Sequence, residues 1–198
     1  MRLGLVKALG RLKAELRTGA AACVPAGVAL LFLLATFNSS ARQVGEYEEK
    51  AAFLLNFAKF VEWPPKAFQD VNAPFVIGIV GDDPFGDALL QIVKGQTAQR
   101  RRIEIRHFKV ADDYGGCHLL FLSRSLAAQT DHLLKRLEGQ PVLTVSEQEN
   151  FVRQGGAIGF VVMGNSVRFD INAKAAAAVN LKVSSKLLAV AREVLKSS

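Results

Sequence analysis

The chain has 198 residues, half of them apolar, and carries 25 Lys/Arg against 18 Asp/Glu for a formal net charge of +7. Five of those bases (Arg2, Lys7, Arg11, Lys13, Arg17) face one acid, Glu15, within the first 41 residues; without that leader the totals are 20 and 17 and the excess falls to +3. The composition excludes disorder, collagen and coiled coil, and a single strongly apolar stretch excludes a multi-span membrane protein.

That stretch comes first in the chain. No residue between Thr18 and Asn38 is charged, Val28 to Phe37 is almost wholly apolar, and Ser39 and Ala41 occupy the small-residue positions of a cleavage site after Ala41. The order of basic segment, apolar segment and small residues predicts a secretory signal over 1–41. An uncleaved membrane anchor is the alternative, because Gly19 to Phe37 just reaches the length that spans a bilayer. Both put 42–198 outside the cytoplasm as one domain.

Within that domain, Glu46 to Val61 opens with Glu46, Glu48 and Glu49, where a helix dipole favours acids, and continues with a broad apolar face to Pro64-Pro65. Phe75 to Val80 is a continuous apolar run, as in a strand covered on both faces. Gly81-Asp-Asp-Pro-Phe-Gly86 turns into a helix with Phe85, Leu89, Ile92 and Val93 on one side. Arg102 to Phe108 alternates, with Ile103 and Ile105 facing one way and Arg102, Glu104 and Arg106 the other, and is expected near a sheet edge.

Cys117 to Leu122 is another buried strand, followed by a helix through Leu126, Leu133, Leu134 and Leu137 to Gly139, and by a strand over Pro141 to Val145. Ala157 to Val162 and Val167 to Ile171 flank Gly164-Asn165 as a tight hairpin. Asn172 is placed to cap Ala173 to Val179, and Ser184 or Ser185 to cap a last helix carrying Leu187, Leu188, Ala191, Val194 and Leu195. Alternating helices and buried strands predict a three-layer α/β fold: a mostly parallel sheet flanked by helices, with an antiparallel hairpin added at one side.

No catalytic set assembles along the chain. His107, His118 and His132 lack metal-ligand spacing, and there is no nucleophile elbow. The Gly81–Gly86 loop lacks the Lys and Ser/Thr of a phosphate loop, and an acceptor aspartate is missing after Leu122, where Ser123-Arg124 stands. Metal and cofactor are therefore not expected. The cluster Arg100-Arg101-Arg102 with Arg106 and Lys109 has acids beside it and no interleaved aromatics, which argues against nucleic acid.

Cleavage at Ala41 removes Cys23 and leaves Cys117 alone, either a small core hydrophobe or a candidate intermolecular thiol. In α/β sheets ligands bind beyond the carboxyl ends of the strands, where Asp82, Asp83, Ser123, Arg124, Ser125 and Ser146 fall. These form a candidate crevice for a small anionic or zwitterionic ligand. Trp63 is a candidate partner contact, or equally a staple of the first helix to the core.

Blocks in order along the domain resemble one family. Glu46-Tyr-Glu-Glu-Lys-Ala-Ala-Phe53, Asn56-Phe-Ala-Lys-Phe-Val-Glu-Trp-Pro64, Phe75-Val-Ile-Gly-Ile-Val-Gly-Asp-Asp-Pro-Phe-Gly86 and Cys117-His-Leu-Leu-Phe-Leu-Ser-Arg-Ser125 resemble the YfiR family of periplasmic proteins. So do Pro141 to Ser146, Gly155 to Val162, Val167 to Asn172 and Leu181 to Leu188. The resemblance implies a non-enzymatic regulator that holds an inner-membrane diguanylate cyclase inactive through its periplasmic domain, lowering cyclic di-GMP and affecting biofilm. It also implies an α/β protein able to form a homodimer. Disulfide-linked redox control, known in the family, lacks a second cysteine here. A periplasmic small-ligand sensor is the alternative function.

Overall fold

The computed structural model describes residues 45–196; the leader, with its signal or anchor, lies outside the described residues. Helix α1 spans 45–60 and hands over directly to a two-residue strand β1 (Val61–Glu62), so its last expected residue, Val61, is already extended. Strands β2 (Phe75–Val80), β3 (Thr97–Ala98), β4 (Arg101–Phe108), β5 (Leu119–Leu122), β6 (Leu143–Ser146), β7 (Ile158–Met163), β8 (Ser166–Asn172) and β10 (Glu193–Leu195) form one sheet. Its order is β10-β8-β7-β6-β5-β2-β4-β3. The central run β4, β2, β5, β6 and β7 is parallel, with β8 antiparallel to β7 across the Gly164-Asn165 turn. The expected mixed sheet with an added hairpin is what the chain builds.

Helices α2 (Asp87–Val93), α4 (Ala173–Ala178) and α5 (Ser185–Val190) join α1 on one face, and α3 (Thr130–Arg136), entered through a 3-10 turn over Arg124–Gln129, lies on the other. Period-two alternation divides the sheet between two cores. Phe75, Ile77, Ile79, Leu119, Phe121, Val145, Ile158 and Phe160 pack under α1, whereas Val76, Val80, Leu120 and Leu122 pack under α3. Ile103 and Ile105 join the α1 side, as their alternation with charged neighbours requires. Phe57 meets Phe160 and Phe169 at centroid distances of 5.8 and 5.0 Å, giving the first core an aromatic centre. At Gly78 an added Cβ would lie 2.7 Å from the Cys117 sulfur and 2.8 Å from the Phe108 ring, so only glycine lets these side chains close over β2.

Two caps form as the sequence suggests: Asn172 Oδ1 accepts from the Ala175 amide at 2.9 Å, and Ser184 Oγ from the Leu187 amide at 3.3 Å. The last helix is shorter than its pattern predicts. It ends at Val190, and Glu193–Leu195, expected to continue it, instead form β10, parallel to β8 with Val194 opposite Ile171. The cause is tertiary: β8 offers an open edge, the Arg192 amide donates to the Phe169 carbonyl at 2.9 Å, and the Arg192 guanidinium forks onto Asp170. A separate small sheet pairs β1 antiparallel with β9 (Lys182–Val183), Val61 opposite Val183. No helix among the described residues is long and apolar enough to cross a membrane.

Candidate functional site

The carboxyl ends of β2, β4, β5 and β6 share one rim of the sheet, and strand order reverses between β2 and β5, where open α/β sheets place ligands. Gly81 leaves β2 with φ +89, and a Cβ there would meet Ser125 Oγ at 2.8 Å, so the first loop can lie against the second. The Asp82 amide donates to Ser125 Oγ at 3.1 Å, and Ser125 Oγ donates to Ser123 Oγ at 3.2 Å. Ser146 Oγ donates to the Leu122 carbonyl at 2.7 Å and accepts from the Gln148 amide at 3.2 Å. Gln148 in turn donates to the Ser123 carbonyl at 2.9 Å.

Asp82, Ser123, Ser125 and Ser146 are thus joined across three strand ends. Ser123 and Ser146 are buried, and the hydroxyls bind the loops to one another. Asp83 turns aside: Oδ1 accepts from the Phe85 amide at 2.8 Å and Oδ2 meets His107 Nε2, at the end of β4, at 2.8 Å. The pair is accessible to water and worth little on its own. Arg124 is exposed and makes one long bond, 3.4 Å, to the Glu147 carbonyl.

Beside this network lies an ion cluster that sequence reasoning missed. Lys50 of α1 is fully buried and pairs with Glu147, which directly follows β6, and with Glu46 one turn earlier at 2.5 Å. Tyr47 OH donates to Glu147 Oε1 at 3.2 Å, and burial together with the Glu147 charge pushes its hydroxyl up to about 12. A signal was present: Lys50 stands four residues before Leu54 and seven before Phe57, on the helix stripe that otherwise enters the core. Its partner, 97 residues away, carries no such mark.

At the opposite rim Trp63 is 7% exposed. Its ring meets Phe75 edge-on at 4.8 Å, and Nε1 donates to the His118 carbonyl at 3.1 Å. Of its two sequence readings, this placement is that of a staple, and its ring is not presented to a partner. His118 is 2% exposed and stacks between Phe68 and Phe75, with Nδ1 accepting from the Val76 amide at 3.0 Å. Burial drives it down to about 4, so the ring is neutral at ordinary pH.

Cys117 is buried on the α3 side and burial pushes its thiol up to about 12, the placement of a core hydrophobe. No group of three His, Cys, Asp or Glu among the described residues is arranged to hold a metal ion. The arrangement therefore offers cross-linked strand ends, a buried ion cluster and an unencumbered arginine. A match to the YfiR/HmsC-like family over residues 47–192 runs from the first turn of α1 to the residue before β10, and the chain belongs to that family.

Proposed function

We propose that this protein is an exported regulator that acts by protein contact, binding the periplasmic domain of an inner-membrane diguanylate cyclase and holding it inactive. The observation that carries this reading is the family match across 47–192, which covers both cores, the hairpin and the Lys50–Glu147 pair. The basic, apolar leader agrees with export. Control in this chain does not use an intrachain disulfide of the domain, since Cys117 is its one cysteine and sits inside the α3-side core.

A candidate contact element is the β7–β8 hairpin, where Val162 and Met163, at its tip, are 42% and 54% exposed. Neighbouring surface there is polar, the usual setting of a transient interface. The test is capture from membranes of the cell that makes the protein. The exported chain should retain a membrane-bound cyclase, and its deletion should raise cyclic di-GMP. Unchanged cyclic di-GMP on deletion, with no cyclase retained, overturns the reading.

A further inference from the structure

A cleft of about 580 Å3 opens beside β7, β8 and β10, walled by the loop that follows β6. Four cations line it, Lys50, Arg124, Arg153 and Arg192, together with four acids, of which Glu149 is in no ion pair among the described residues and the other three are committed. Glu147 pairs with Lys50, Asp170 receives the forked Arg192 guanidinium, and Glu193 takes Arg153 at 2.8 Å. Arg124 differs from the other three. Among the described residues it has no carboxylate at ion-pair distance, and its one hydrogen bond there, to a backbone carbonyl, leaves most of a five-donor fork unspent at the mouth of the cleft.

A guanidinium with free donors selects carboxylates and phosphates, two oxygens of which it grips through parallel bonds. The volume lies within the range of small-molecule pockets, well above that of a bare inorganic ion. Half of the sixteen lining residues are charged, so the cleft is not shaped for a purely apolar guest.

We propose that this cleft binds a small organic molecule through a carboxylate or phosphate group held by Arg124. The ligand sits beside the hydroxyl-linked strand ends rather than among them, because Ser123 and Ser146 are buried while Arg124 faces the opening. The inference concerns the protein alone and does not depend on any cyclase partner.

Isothermal titration of the full chain with succinate, glutamate and a sugar phosphate separates the sources: a purely anionic carboxylate, a zwitterion and a phosphate. At least one should bind saturably. Arg124→Ala should weaken it about ten-fold or more, and Arg124→Lys, which keeps charge but loses the fork, by an intermediate factor. Absence of saturable binding by all three overturns the proposal. So does equal affinity in Arg124→Ala. If that variant melts lower and leaves affinity unchanged, Arg124 serves only to offset the excess negative charge of Glu46 and Glu147.

Discussion

The two rims of the sheet solve one problem in opposite ways. Each buries a titratable base: Lys50 at the carboxyl rim and His118 at the amino rim. Lys50 is paired with the carboxylates of Glu46 and Glu147, whereas His118 gives up its charge and is stacked between two phenylalanine rings. A lysine, whose ordinary pKa lies far above neutrality, is cheaper to pair than to neutralise; a histidine is the reverse. The comparison teaches that a buried base need not mark a site, and that its partners decide whether its neighbourhood is ionic or dry.

The largest expected effect comes from leaving one rim's charge alone. Lys50→Met strands Glu147 in the interior and should cost about 3–5 kcal/mol in urea unfolding. Lys50→Met with Glu147→Gln should recover much of that. A single variant within about 1 kcal/mol of the parent would show that water reaches the pair and would erase the contrast.

At the dry rim, Trp63→Ala should cost about 3–4 kcal/mol, through the lost packing on Phe75 and the lost bond to the His118 carbonyl. A cooperative melt at the parental temperature would return Trp63 to the surface role. Trp63→Phe, which keeps most of the ring, should cost only about 1–2 kcal/mol.

The pH dependence separates the rims further. His118 is held down to about 4 in the folded chain against about 6.5 when unfolded, so the unfolded state binds the extra proton between those values. Its stabilising share is present in full above about 6.5 and is lost as pH falls toward 4, on the order of 2–4 kcal/mol in all. His118→Phe should flatten the stability profile through that window. A parental slope in the variant would assign the acid sensitivity elsewhere. The smallest change, Asn172→Ala, removes the α4 cap and a bond to the Val152 carbonyl, for about 1–2 kcal/mol measured by thermal unfolding.

What could be read in advance followed how local its cause is. Buried runs, the Gly164-Asn165 hairpin and the caps at Asn172 and Ser184 each depend on a few adjacent residues, and the structure has them where the pattern put them. Strand β10 could not be read this way, since Leu187, Leu188 and Ala191 keep a helical spacing and the competing demand is the unpaired edge of β8, folded from distant chain. Strand-end residues Asp82, Ser123, Ser125 and Ser146 were found because the fold class locates strand ends. Their spending on one another, and the pairing of Lys50 with Glu147, depend on register across the sheet, which no window of sequence displays.

One further consequence lies in how the first helix is fastened. α1 is tied at its start to Glu147 and to the Val167 amide through Glu49, and at its end, through β1, to Val183. The first of the described elements therefore has its anchors among the last to be made. Such distant closure slows folding and keeps the nascent chain open.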